Sequence, residues 1–399
     1  MHVLTIICSG GWMPEHLSAG WRRIGWAVTE FLYGTHMGKS WSNEGLKENR
    51  DVNARLLDVA QRLKSEGRLD LIFAVIYDDV LTVETVIALR RLGVPLVNYH
   101  VDLVGQWYRI LRTGKYFDLV ACAHHDHWNA LRRAGVRPYY MPMAANPRDE
   151  SEPTDIARFD DVLYLGSPWV YRREILAELA RRGIPLRIYG HNWCPTKATI
   201  NTIKEPDPSK MQPPAKNLHD LRHYLIDRIR EEGVAGVAES LAQRVAHVSR
   251  VAIPAEVPPE NVRGTYLEQD FVGLVRGAAV NMGFTHFKGK AGSAKEQRQV
   301  RLREFEVTMA GGFYLTQDCE QLRELFRVGE EIETWNEVDD LHDKIAYYLR
   351  HPQERERIAA AGRARTLHEH TWESRFRGLL TALGIAVSDP AKTTIHNSL

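Results

Sequence analysis

Residues 301–316 of this 399-residue chain read Arg-Leu-Arg-Glu-Phe-Glu-Val-Thr-Met-Ala-Gly-Gly-Phe-Tyr-Leu-Thr. Leu302, Phe305 and Met309 fall at i, i+3 and i+7, the buried stripe of a helix. Arg303 and Glu306 share its other face, three residues apart, and a surface ion pair is the plain account of that spacing. Gly311 or Gly312 would end the helix in the left-handed conformation open to glycine, and a strand follows. Just upstream, 287–295 is a Gly- and Lys-rich loop containing Lys290, with Arg298, Arg301 and Arg303 nearby. The local charge is strongly positive, as a nucleoside diphosphate would require; a solvated loop is the alternative.

Further candidates sit where apolar runs stop. Gly166 and Ser167 follow an apolar run and precede a helix, placing backbone N–H groups where a diphosphate could bind, with Arg172 or Arg173 adding charge-assisted bonds. A plain turn with solvent-facing arginines is the competing account. Gly190, His191 and Asn192 end another strand, where His191 would otherwise be a satisfied loop histidine. Near the N-terminus, Gly10 and Gly11 form a small-residue loop that admits close backbone approach. His100 and Asp102 end a strand and could serve as a base with its orienting carboxylate, or as a structural pair. The run Ala123-His-His-Asp-His-Trp128 lacks the helical spacing of zinc hydrolases, so it reads as a helix cap led by Asp126, and no metal is expected.

The 301–316 segment resembles the C-terminal domain of glycosyltransferases related to the CgeB spore-maturation protein, with their Arg-x-Phe-Glu, small-residue stretch and Gly. It is also similar to the second half of the E-x7-E motif of glycogen-synthase-like retaining transferases, in which Glu precedes Gly by five, as Glu306 precedes Gly311. The resemblance implies that Glu306 holds the ribose hydroxyls of a donor nucleotide, and a carboxylate can accept both hydrogen bonds of a vicinal diol. The sequence departs at Arg298, which stands where the first glutamate of that motif belongs. The likeness continues through 325–335, 340–349 and 354–362 to His370, Trp372 and Arg375, and upstream through 162–167, Arg172, Arg173 and 186–193.

The elements that would position these groups alternate. Apolar runs at 3–8, 71–76, 96–99, 119–123 and 139–142 read as buried strands, separated by amphipathic segments such as 52–66 and 83–92. Such a rhythm implies a parallel sheet covered on both faces. A polar, Pro-containing stretch at 149–160 reads as a linker. A second α/β pattern then runs over 161–385, with strands at 161–166, 186–189, 272–281 and 313–316 and helices at 173–182, 297–310, 341–350, 354–362 and 372–383. It is interrupted at 195–258 by a Pro- and Lys-rich loop and two amphipathic helices, 218–232 and 237–250. The last helix is placed to pack back on the N-terminal domain (1–148), and a flexible tail covers 386–399.

The expected architecture is α/β of the GT-B type: two Rossmann-like doubly wound domains facing across a cleft, the second carrying a helical insertion. Net charge is +1, so no global field points to nucleic acid, which enters only as an acceptor. Four scattered cysteines and the lack of a signal-like or membrane-spanning run fit a cytoplasmic protein with free thiols. The resemblance implies a transferase using a UDP-, GDP- or dTDP-linked sugar as co-substrate, with no other cofactor or metal, a lean towards retention, and an acceptor left open. A binding protein without turnover, or a transferase acting on modified DNA or protein, are the alternatives.

Overall fold

The computed structural model describes residues 1–34, 43–148, 157–193, 229, 256–288 and 296–386. Apart from Ile229, the expected insertion up to residue 255 lies outside them, as do Lys290, most of the linker and the tail after residue 386. The described residues form two compact units, one within 1–146 and 371–386 together with Ile229, the other within 147–193 and 256–370.

In the first unit, β1 (His2–Cys8), β2 (Ala27–Tyr33), β3 (Leu71–Ala74), β4 (Leu96–His100), β5 (Leu119–Cys122) and β6 (Pro138–Tyr140) form one parallel sheet in the order β2-β1-β3-β4-β5-β6. Helices α1 (Ala19–Arg23), α2 (Asn43–Ser65), α3 (Val83–Arg90), α4 (Leu103–Gln106) and α5 (Trp128–Arg133) connect the strands. Parallel neighbours require crossovers that cover both faces, which is why the central strands are continuous apolar runs. All four side chains of β3 are fully buried. On α2, Leu56, Ala60 and Leu63 carry the buried stripe read from their spacing.

In the second unit, β7 (Phe159–Leu165), β8 (Leu186–Tyr189), β9 (Val262–Gly264), β10 (Ala278–Met282), β13 (Tyr314–Gln317) and β14 (Glu333–Trp335) pair in the parallel order β14-β13-β10-β7-β8-β9. A small antiparallel pair, β11 (His286–Lys288) and β12 (Gln297–Arg298), stands apart. The helices are α6 (Val170–Arg181), α7 (Phe271–Gly277), α8 (Leu302–Ala310), α9 (Leu322–Leu325), α10 (Val338–Arg350), α11 (Pro352–Glu369) and α12 (Trp372–Ala382).

Two expectations need correcting. Residues 272–281 are not one strand: α7 occupies their first part, because a run buried on every side carries no period to separate helix from strand. Residues 297–310 are not one helix either, since β12 precedes α8.

The last helix, α12, belongs to the first unit. Thr371 caps it by accepting the Ser374 N–H at 3.1 Å, and the Trp372 N–H donates to the Ala145 carbonyl at 3.3 Å. It packs on α1 through Phe376, whose ring stacks on Trp21 with centroids 4.1 Å apart. Gly20 makes that approach possible: a Cβ there would lie 2.6 Å from Trp372 Cβ and 2.8 Å from Phe376 Cε2. Gly20→Ala is therefore expected to cost about 1–3 kcal/mol by overpacking. A lowered thermal midpoint checks this, and an unchanged one would contradict the packing.

Candidate functional site

The second sheet reverses its strand order between β7 and β10: the chain leaves β7 towards β8 and β9, then returns to β10 and continues towards β13 and β14. Ligands of open parallel sheets bind beyond the carboxyl ends of strands at such a switch point. Helices that feed strands run back from that edge, so α7 and α8 both begin there. Arg303 and Glu306 of α8 meet there Phe271, which opens α7, and Tyr266 from the segment that leads into it. Arg303 pairs with Glu306 at 3.1 Å, donates through Nη2 to the Tyr266 hydroxyl at 3.2 Å, and lies 5.1 Å over the Phe271 ring. Glu306 does not face bulk water, as its side chain is 13% exposed. The i,i+3 pair is thus a partly buried one, fixed from two directions. Gly311 ends α8 at φ 85°, and a Cβ on Gly312 would press on Val275 and Asn281. Asn281 uses its amide to hold the Val275 and Phe313 carbonyls, at 3.0 and 3.2 Å.

Glu304, one residue past Arg303, is fully buried. It accepts from the Arg301 N–H at 2.8 Å and from the Thr316 hydroxyl at 3.2 Å. Burial nevertheless pushes its carboxyl up to about 7. The Arg301 side chain reaches the His286 carbonyl at 3.1 Å.

The turns after β7 and β8 lie against each other. The Gly166 N–H donates to the Tyr189 carbonyl at 2.9 Å, and the Gly166 carbonyl accepts from Trp193 Nε1 at 2.7 Å. A Cβ on Gly190 would strike the Gly166 carbonyl oxygen, so only glycine fits there. Ser167, His191 and Asn192 are exposed, and Asn192 is left-handed at φ 65°. No side chain caps the start of α6, which opens at Val170, three residues after Ser167, with Trp169 in the capping position. Arg172 donates to the Tyr164 hydroxyl at 3.0 Å and lies over the Trp169 ring. Arg173 is buried and donates to the Asn192 carbonyl at 3.0 Å, so it braces the β8 turn. Arg298 is engaged by Glu296 at 2.9 Å and by the Asp318 carbonyl at 2.9 Å. Tyr266 escaped the sequence reading; its signal is its place two residues beyond the Gly264 that ends β9.

The first unit reverses strand order between β1 and β3. Ser9, Gly10 and Gly11 follow β1, with Gly11 at φ 79°. His100, at the end of β4, is fully buried; its Nε2 faces the Gln106 carbonyl at 3.1 Å and burial lowers its pKa to about 4. Asp102 accepts from the Tyr77 hydroxyl at 3.4 Å and its charge acts against the fall in the His100 pKa, while the Tyr77 ring stands edge-on to His100. Asp126 does not cap α5. His127 takes that position at φ 60°, with Nε2 3.2 Å from the Val104 carbonyl and its ring stacked on Trp107. Cys8, Cys122 and Cys319 are free thiols, and Cys194 lies outside the described residues.

The two buried titratable groups act on stability in opposite senses. Glu304 has a folded pKa of about 7 against 4.5 in water, so the fold binds its proton more tightly and stability falls as pH rises between those values. For His100 the folded value of about 4 lies below 6.5, so stability is lost as pH falls from about 6.5 towards 4. Melting curves across this range should show Glu304→Gln gaining on wild type as pH rises, and His100→Gln gaining as pH falls. Curves parallel to wild type would sink both assignments.

Residues 233–381 match a family model described as glycosyl transferase-like. No curated protein matches the sequence. Among solved structures the chain is similar to HepE of Anabaena in complex with UDP and glucose, at 14% identity and TM-score 0.54, covering 96% of this chain and 99% of that one. It is similar to sucrose-phosphate synthase of Thermosynechococcus elongatus, at 13% identity and TM-score 0.53, covering 96% and 99%. A glycosyltransferase of Rickettsia africae aligns at 8% identity and TM-score 0.51, covering 96% and 97%. Among the described residues no helix is long and apolar enough to cross a membrane. The two parallel-sheet, Rossmann-like units match the GT-B fold, and the C-terminal part of the sequence matches the glycosyl transferase-like model.

Proposed function

We propose that the protein is a cytoplasmic glycosyltransferase of the CgeB-related group, moving a sugar from a nucleoside diphosphate to an acceptor hydroxyl. The observation that carries the reading is the Arg303–Glu306 pair at the start of α8, on the carboxyl edge of the second sheet beside its switch point. Glu306 accepts the two ribose hydroxyls, and Arg303 with Tyr266 keeps the carboxylate from rotating away. The diphosphate lies against the Gly166–Ser167 turn and the uncapped start of α6, with Arg172 and Arg301 supplying counter-charge. Gly190 lets the backbone approach closely, and Lys290 adds a further cation. In the transfer the bond from the sugar C1 to the phosphate oxygen breaks, its electron pair leaving with the diphosphate. A bond forms from the acceptor oxygen to C1, and the acceptor proton passes to the His100–Asp102 pair. The glycogen-synthase likeness leans the reading towards retention of configuration, with Arg298 in place of the first glutamate. UDP in complex with HepE supports uracil as the first base to try.

A thermal-shift panel of UDP-, GDP- and dTDP-sugars tests this, since a ligand at 100 times its Kd stabilises the native state by about 2.7 kcal/mol. One nucleotide should raise the midpoint of wild type, while Glu306→Ala should abolish that rise. A shift retained in Glu306→Ala removes the residue from the site; no shift with any sugar nucleotide removes the reading. Release of nucleoside diphosphate on incubation separates a transferase from a binding protein without turnover.

A further inference from the structure

Glu304 is fully buried in the first turn of α8, directly after Arg303 and two residues before Glu306. One of its oxygens accepts the Arg301 N–H at 2.8 Å and so closes the helix start; the other accepts the Thr316 hydroxyl at 3.2 Å. Thr316 lies two residues beyond Tyr314 on β13, on the same face of the strand, and its hydroxyl also bonds to the Tyr314 phenol. Gly283, after β10, closes over both groups: a Cβ there would strike the Tyr314 and Thr316 hydroxyls. Further across the sheet, Tyr164 of β7 donates to the Ser167 carbonyl at 3.3 Å and accepts from Arg172 at 3.0 Å. A row of hydroxyls thus leads from Glu304 towards the Gly166–Ser167 turn.

The groups around Glu304 leave its charge poorly answered. Arg301 faces it from the segment entering α8, but donates through Nη2 to the His286 carbonyl at 3.1 Å. Tyr314 of β13 and Cys319 beyond it also face the carboxyl, and burial keeps both protonated. Arg303, next on the helix, is paired with Glu306. Desolvation therefore outweighs attraction and holds the carboxyl at about 7.

Both protonation states can be satisfied without moving the helix. A hydroxyl donates one hydrogen bond and accepts others. With Glu304 ionised, Thr316 donates to it and Tyr314 donates to Thr316. With Glu304 protonated, its O–H donates to Thr316, whose own proton turns to Tyr314. The second carboxyl oxygen keeps the Arg301 N–H in either state. A proton from solvent is taken up by rotation of O–H bonds, and no bond between heavy atoms changes.

We infer, resting on the glycosyltransferase reading, that Glu304 couples donor binding to a proton: it becomes neutral as the diphosphate brings negative charge to Arg301 and the start of α8. Glu304 touches no substrate and is a positioning residue, setting the charge behind the groups that do. The sign follows from linkage. An anion that favours the protonated form raises its pKa further, so affinity falls as pH rises through about 7, and binding takes up part of a proton.

The test is calorimetric titration of the full chain with UDP-glucose, GDP-mannose and dTDP-glucose, whose diphosphates do not titrate near neutrality. It is run from about pH 6 to about pH 8.5 in two buffers of different ionisation enthalpy. The sugar nucleotide that binds should lose about 10-fold in affinity over that range, one pKa unit of coupling, and take up about half a proton between the two pKa values. Glu304→Gln copies the protonated form, with an oxygen for the Arg301 N–H and an N–H for Thr316. Its affinity should stay at the low-pH level throughout, with no proton exchanged, whereas loss of a merely structural group would weaken binding equally at every pH. Thr316→Val removes a hydrogen bond that favours the carboxylate, and as the second variant it should move the profile to higher pH.

A pH dependence and proton uptake that persist in Glu304→Gln overturn the inference and place the proton on another group, His191 beside Gly190 first. Sugar-nucleotide binding indifferent to pH sinks this inference alone. No binding of any of the three sinks the transferase reading and this inference with it.

Discussion

Parallel pairing governs this molecule. A strand hydrogen-bonded to a parallel neighbour must be brought back to its starting end by a crossover, so every loop that follows a strand emerges on the same edge of its sheet. In the first unit that edge collects Ser9 to Gly11 after β1, Tyr77 to Asp79 after β3 and His100 at the end of β4. In the second it collects Gly166, Gly190, Tyr266 and the first turns of α7 and α8. The side chains with chemistry are therefore gathered by strand direction, and residues as far apart in sequence as Tyr266 and Arg303 come within hydrogen-bonding reach.

The polar groups at these edges are bound to one another before any ligand arrives. Arg303 is held by Glu306, Tyr266 and the Phe271 face; Arg109 is held by Asp79 and the Tyr77 face. A partly buried ion pair adds little net stability once desolvation is counted, but a single partner removed leaves a stranded charge. Such pairs fix geometry more than they stabilise. What they gain is a carboxylate held in one orientation. Arg173 shows the contrast: its guanidinium is turned onto the backbone of the β8 turn and keeps Gly190 against Gly166.

Glycines at three points set how closely elements approach. Gly20 admits α12 onto α1, Gly190 admits one turn onto another, and Gly312 admits α8 onto α7 and β10 through Val275 and Asn281. Each would otherwise hold its neighbours apart by the width of a methyl group, in an interior packed as densely as a crystal of small molecules.

Much of this was legible in the residues alone. The apolar runs of β1, β3, β4 and β5 identify buried parallel strands, because a strand covered on both faces has no reason to alternate. The Leu302, Phe305 and Met309 stripe with Gly311 behind it determines α8 and its left-handed stop. The edge strand β2 was not legible, since its side chains are half exposed and Leu32 faces water, so no long apolar run marks it. Nor was α7, whose uniform burial erases its period. His127 took the capping place expected of Asp126 because stacking on Trp107 and the bond to the Val104 carbonyl hold its backbone left-handed, contacts made across two crossovers. The type and order of the elements are local properties of residue spacing. Which arginine braces a turn and which supports a carboxylate depends on what the sheet order brings alongside, and only the tertiary structure decides that.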